Sequence, residues 1–159
     1  MAGTIRPATI RIGGASGYWG DSDMALPQFL KAGGLDYVVF DYLAEITMSI
    51  MARQRAKDPA QGYAADFGSA VLKPNLKEIA RQGVKILSNA GGVNPRACGE
   101  AVRAAVKAAG LDLKVAIVEG DDLLGRAQEF AGVQEMVKRV FVMVPLGADF
   151  TKGSLESLW

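Results

Sequence analysis

Histidine is missing altogether from this sequence. Its absence removes Ser–His–Asp and Cys–His catalysis, histidine-ligated zinc, and the side chain that titrates nearest neutral pH. Acid–base work within the chain falls to carboxylates, Lys, Tyr or Cys. Any metal would be a hard, oxygen-loving ion such as magnesium. Cysteine occurs once, as Cys98, so no internal disulfide can form, and a reducing compartment fits. Neither sign of charge dominates: 18 Lys and Arg face 17 Asp and Glu. No basic field exists to hold nucleic acid or an anionic membrane. Long apolar runs are lacking too. The most hydrophobic stretch, "YVVFDYLAEITMSIMA", is broken by Asp41 and Glu45 and reads as no membrane span. The opening residues, "MAGTIRPATIRIGG", lack the apolar core of a signal peptide. These absences predict a soluble, cytoplasmic protein with no nucleic-acid or membrane partner.

What is present is ordinary globular material. Half of the 159 residues are hydrophobic and 22% are charged. A chain of this length buries roughly two-thirds of its unfolded surface and needs no disulfide or metal staple. Short apolar runs alternate with longer helical ones. "ATIRI", "DYVVFDY", "VKILSN" and "KVAIVEG" read as strands, and "KRVFVMVP" as a fifth. Between them, "DMALPQFLKAGG" reads as a helix stopped by Gly33 and Gly34. Residues 43–57 form another, with Leu43, Ile46, Ile50 and Met51 at helical spacing. A third stretch breaks near Pro74 and stops at Gly83. Asn94 caps a further helix with Pro95 at its first position and an inner stripe of Ala97, Ala101, Ala105 and Ala108. The pattern predicts an α/β fold: a mostly parallel sheet of four to five strands, with helices on both faces in a Rossmann-like layering.

Right-handed crossovers put the carboxyl ends of such strands on one edge, where ligands of open α/β sheets bind. The residues expected there are rich in Gly, Asn, Asp and Glu. "GGASGYWGD" follows the first strand and offers Gly14, Ser16, Gly17 and Trp19 to an anion or a substrate wall; alternatively, its glycines only turn the chain. As a dinucleotide fingerprint it is incomplete, because Ile12 stands where the first glycine belongs. NAD(P) is therefore not expected. Asp41 and Glu45 lie four apart at a helix start, either compensating the helix dipole or serving as metal ligands or a general base. "NAGGVNPR" supplies Asn89, Gly91, Gly92, Asn94 and Arg96 as candidate substrate or anion binders. Arg96 opposes the dipole of its helix and needs a partner, either an acid such as Glu119 or Asp121 or a ligand's anion. Glu119, Asp121 and Asp122 resemble a metal-binding cluster, although Asp122 serves equally as a helix cap. Cys98 follows the buried spacing and reads as a small hydrophobe. Catalytic capacity is assigned to Asp41, Glu45, Glu119 and Asp121.

Four stretches in order, "IRIGGASGYWGDS", "DYVVFDYLAEITMSIMARQRAKDP", "ILSNAGGVNPRAC" and "VAIVEGDDLL", resemble the N-terminal part of the acyclic terpene utilisation A (AtuA) family, from about Ile10 to Leu124. The resemblance implies a role in the breakdown of acyclic terpenoids such as citronellol and geraniol, which proceeds through branched acyl-CoA thioesters. It implies no catalytic residues. Family members run to several hundred residues, and the resemblance fades after Leu124. Residues 1–124 are thus expected to form the AtuA-like region and 125–159 a divergent tail, making the chain a fragment, a frame-shifted product or a short member. A missing C-terminal region would leave apolar surface for a homo-oligomer.

Three functions compete at this point. One is an α/β domain acting on a terpenoid or acyl substrate with carboxylate or metal assistance. Another is a nicotinamide-dependent oxidoreductase, and the third a non-catalytic subunit or inactive fragment.

Overall fold

The computed structural model describes residues 9–21 and 23–132. Two compact units divide the chain, Met1–Val118 and Glu119–Trp159. The first holds a parallel sheet of β1 (Ile12–Ser16), β2 (Tyr37–Phe40) and β3 (Lys85–Ser88), in that spatial order. Gly13 is level with Val38, and Val38 with Ile86. The α/β class and the parallel sheet are as the pattern predicts. The strand number is not: three occur among the described residues, not four to five. "KRVFVMVP" lies outside the described residues.

The segment read as a fourth strand has the alternation of a strand without its ladder. Leu111, Leu113, Val115 and Ile117 are half-buried, while the residues between them are exposed. This alternation serves helix packing. The helix α4 (Pro95–Ala108) receives Ile117 against Gly99, where a Cβ would lie 2.5 Å from Ile117 Cδ1. Arg103 Nη2 donates to the Val115 carbonyl at 2.9 Å. A period of two reports which residues face inward, not what the backbone bonds to.

The first strand is displaced from its expected place. It is the "IGGAS" stretch, not the preceding "ATIRI". Gly13 is there for packing: a Cβ would fall 2.9 Å from Leu35 Cδ1 and 3.2 Å from the Phe29 ring. Phe29 belongs to α1 (Ala25–Ala32), which ends at Gly33 with φ 71°.

After β2 come α2 (Glu45–Lys57), a π-helical stretch (Phe67–Leu72), a 3-10 turn (Lys73–Asn75) and α3 (Leu76–Gln82). The break near Pro74 and the stop at left-handed Gly83 match the sequence reading. Gln82 Nε2 donates to the Leu30 carbonyl at 2.6 Å, tying α3 to α1. Strands laid down in chain order with right-handed crossovers send both connections to one face. Val38 and Phe40 are buried on that face. On the other, Ile12, Val39 and Leu87 are exposed, so helical cover on both faces is not found among the described residues.

Two helix faces also differ from expectation. In α4 the buried residues are Cys98, Gly99, Val102 and Val106, while Ala101 and Ala108 are exposed. The larger side chains bury more apolar area and set the rotation. In α2, Ile46 and Ile50 are exposed, and Thr47 and Met51 point inward. The Thr47 hydroxyl accepts from Ala44 N at 2.7 Å and lies 2.8 Å from Ala44 O, closing the first turn. Phe40, Leu26, Met51 and Val38 are the largest fully buried side chains. Phe67 meets Phe40 and Tyr42 edge-on, with ring centres 5.5 and 5.6 Å apart.

In the second unit, a 3-10 run over Leu124–Phe130 occupies the place read as a helix starting near Asp122.

Candidate functional site

The carboxyl ends of the three strands are joined by one small polar network. Asn89, just past β3, donates from Nδ2 to Asp41 Oδ1 at 2.7 Å and accepts from Tyr42 N at 2.8 Å. Leu43 N also donates to Asp41 Oδ1, at 3.2 Å. Ser16, at the end of β1, donates from Oγ to the Asp41 carbonyl at 3.1 Å, and its own carbonyl accepts from Asp41 N at 3.3 Å. The Asn89 hydrogen bond, helped by the Leu43 amide, holds the Asp41 carboxyl below its ordinary pKa. An exposed carboxylate held below its ordinary pKa can orient a hydroxyl, a water or a cation; it is a poor proton donor near neutrality. Glu45 stands apart as the first residue of α2, exposed in its first turn. Asp41 precedes the helix, so the two acids do not share a helical face as their spacing suggests.

The loop after β1 closes on its own carboxylate. Asp21 Oδ2 accepts from Gly17 N at 3.0 Å, and Asp21 N donates to the Tyr18 carbonyl at 3.3 Å. The amide best placed to receive a phosphate thus already has an anionic partner. Nothing lies within 4 Å of where a Cβ would sit on Gly17, nor on Gly14 within β1, level with Val39 on the exposed face of the sheet. Trp19 is half-buried, and its indole N–H donates to Asp66 Oδ1 at 2.7 Å. Beside this contact, Gly20, Asp21, Asp23, Tyr42, Asp66, Ala70 and Val71 line a cleft of about 260 Å³. Tyr42 is 3% exposed, and burial, with the Asp66 charge second, pushes its pKa up to about 12. Sequence reasoning passed over Tyr42, Asp23 and Asp66. Tyr42 carried a signal, its place beside Asp41 at a strand end. Asp66 carried none, because 47 positions separate it from the Trp19 it holds.

The loop after β3 is packed. Ala64 N donates to the Ala90 carbonyl at 2.9 Å, and Val93 N to the Gly62 carbonyl at 3.0 Å. Asn94 Nδ2 donates to the carbonyls of Pro59 at 2.9 Å and Gln61 at 2.8 Å, while its Oδ1 caps α4 through Ala97 N. Arg55 Nη1 donates to the Val93 carbonyl. A Cβ on Gly91 would fall 2.8 Å from Pro95 Cα, and one on Gly92 would strike Met51 Sδ and lie 2.9 Å from the Gly62 carbonyl. Gly91, Gly92 and Asn94 therefore hold chain to chain.

Arg96 is exposed in the first turn of α4 and has an interaction of its own, as do Glu119 and Asp122. Asp121 is exposed. Among the described residues, no group of three His, Cys, Asp or Glu is arranged to hold a metal ion. Cys98 is buried, and desolvation raises its thiol to about 11, so it stays protonated and inert. Among the described residues no helix is long and apolar enough to cross a membrane.

A parallel α/β unit with its polar groups gathered at the strand carboxyl ends is the frame in which small-molecule sites are built. The family model described as "Acyclic terpene utilisation family protein AtuA" matches residues 10–143, most of the chain. The chain belongs to that family. The match runs past Leu124, where the resemblance of individual motifs fades. No curated protein and no solved structure matches it.

Proposed function

We propose that this chain acts in the catabolism of acyclic terpenoids, on a branched acyl group carried as a CoA thioester, in the cytoplasm. Family membership supports the metabolic setting. The observation that carries a site is the Asp41–Asn89 pair, which bridges the ends of β2 and β3 and leaves an ionised carboxylate facing solvent. In this reading Asp41 orients a substrate hydroxyl, a water or a hydrated magnesium ion, and Asn89 positions it. The empty side-chain position at Gly17 gives an acyl chain room in the loop that carries Trp19. The nicotinamide reading is weaker, because Gly17 N is already bonded to Asp21.

Thermal melts of the full chain with CoA, a branched acyl-CoA, NADH and magnesium test the proposal. A ligand at about a hundred times its dissociation constant adds roughly 2.7 kcal/mol, a shift of about 5 to 10 °C for a chain of this size. The acyl-CoA, alone or with magnesium, should produce that shift, and Asp41→Asn should abolish it. A shift with NADH alone would favour the oxidoreductase. A melt indifferent to all four ligands would favour a non-catalytic subunit.

A further inference from the structure

The loop after β2 spends every backbone donor it has. Asp41 N donates to the Ser16 carbonyl, Tyr42 N to Asn89 Oδ1, Leu43 N to Asp41 Oδ1 and Ala44 N to Thr47 Oγ1. The Asp41 carbonyl already accepts from Ser16 Oγ. Residues 41–44 therefore keep no amide for a phosphate or a thioester carbonyl, and what this edge offers a ligand comes from side chains. The orientation of Asn89 follows from its partners. Tyr42 N can only donate, so the side-chain oxygen of Asn89 faces it; the ionised Asp41 carboxylate can only accept, so the Asn89 NH2 group faces that. One N–H of the amide is used in this way and the second is left over. Asp41 Oδ1 accepts twice, from Asn89 Nδ2 and Leu43 N, whereas Oδ2 accepts no hydrogen bond among the described residues. Asp41 and Asn89 are both exposed. The edge thus presents one charged acceptor and one neutral donor, joined through Oδ1 and close enough for a single small group to meet both.

Three ligand chemistries compete for that pair. A metal ion gains little: two N–H groups cover one carboxylate oxygen, and among the described residues no group of three His, Cys, Asp or Glu is arranged to add further ligands. A secondary amide, such as those in the arm of CoA, holds its N–H and C=O on opposite sides of a trans unit and cannot serve both partners. A hydroxyl donates and accepts through one oxygen. We infer that the Asp41–Asn89 pair recognises a hydroxyl on the acyl chain itself, which donates to Asp41 Oδ2 and accepts from Asn89 Nδ2. The substrate class is then a branched hydroxyacyl thioester, not its unhydroxylated parent. This inference rests on the assignment of an acyl thioester to the Asp41 edge, and it makes Asn89 a specificity-determining residue as well as a support for Asp41.

Titration calorimetry of the full chain with 3-hydroxy-3-methylbutyryl-CoA, beside 3-methylbutyryl-CoA, isolates the hydroxyl, because the two thioesters differ in that group alone. The hydroxylated compound should bind about tenfold more tightly, the discrimination that one hydrogen bond to a charged group gives. Magnesium chloride should leave that ratio unchanged. Asn89→Asp keeps an oxygen for Tyr42 N, removes both amide donors and sets a second carboxylate beside Asp41. It should abolish the preference. Equal affinity of the parent chain for the two thioesters would overturn the inference and leave the thioester reading standing. Binding of neither would sink that reading and the inference with it. A preference that appears only with magnesium would overturn it too, by giving the carboxylate to a metal. A preference kept in Asn89→Asp would place the hydroxyl elsewhere. The comparison in the parent chain decides even if Asn89→Asp fails to fold.

Discussion

Two glycine-rich loops leave the same edge of the sheet, and they use glycine for opposite reasons. After β3, Gly91 and Gly92 are crowded by Pro95, Met51 and the Gly62 carbonyl, and Gly92 also has a positive φ of 51°. After β1, the place where Gly17 would carry a side chain is empty. Glycine in the first loop lets chain approach chain. In the second no atom crowds the side-chain position of Gly17, and its amide is held by Asp21. Composition treats the two loops alike; the atoms nearest each missing Cβ separate them.

The sharpest way to break this contrast is Gly92→Ala. The new methyl meets Met51 and the Gly62 carbonyl, and the left-handed backbone disfavours any side chain, so the cost should be about 3 kcal/mol. Thermal denaturation should show a melting temperature lower by about 10 °C. If Gly92→Ala melts like the parent protein, the loop after β3 is not a packed clamp and its candidacy as an anion cradle revives.

How much of this was legible beforehand follows from the range of each signal. Local signals were read well: the Asn94 cap with Pro95 behind it, the Gly33 and Gly83 stops and the break near Pro74. Apolar spacing was less reliable. Of the stripe Leu43, Ile46, Ile50 and Met51 it placed Met51 and Leu43 against the core rightly, but Ile46 and Ile50 are exposed while Thr47 is buried. It marked residues 114–120 as a strand, whereas Ile117 packs on Gly99 of α4. Of the candidate site, Asp41 and Asn89 were named separately. Nothing in the sequence joins them, because their bond spans 48 positions. Asp66 was invisible for the same reason. Polar side chains carry no periodicity that betrays a distant partner.

The Asn89 bond sharpens the comparison from the side of the site. Asn89→Ala removes the partner of Asp41 and leaves Tyr42 N without an acceptor, at a cost of about 1 to 2 kcal/mol. Carbon-detected NMR should show the Asp41 carboxyl titrating at a higher pH than in the parent chain. An unmoved titration would mean that Asn89 does not tune the acid.

The two loops also differ in what buries beside them, and alkali reads both. Cys98, behind the packed loop, is raised from 9.0 to about 11, and Tyr42, behind the open one, from 10.0 to about 12. Each folded-state pKa lies above the unfolded one, so each group's contribution is complete below the unfolded pKa and is lost as pH rises through the folded pKa. Denaturant midpoints should therefore fall from about pH 9 towards pH 12. Cys98→Ala should flatten the early part of that decline and Tyr42→Phe the later part. A decline identical in all three proteins would assign it to other groups.

The smallest expected effect is the most telling for function. Gly17→Ala places a methyl where nothing lies within 4 Å, at a residue without a positive φ, and it leaves the amide bonded to Asp21. Its stability should stay within about 0.5 kcal/mol of the parent protein. The melt shift given by acyl-CoA should nevertheless shrink, because the methyl occupies the space through which a ligand would reach the backbone. Stability and binding changing together would mean that the open loop is structural like its counterpart. Binding lost with stability kept would show that the two loops divide the work: one holds the edge of the sheet together, and the other receives what comes to it.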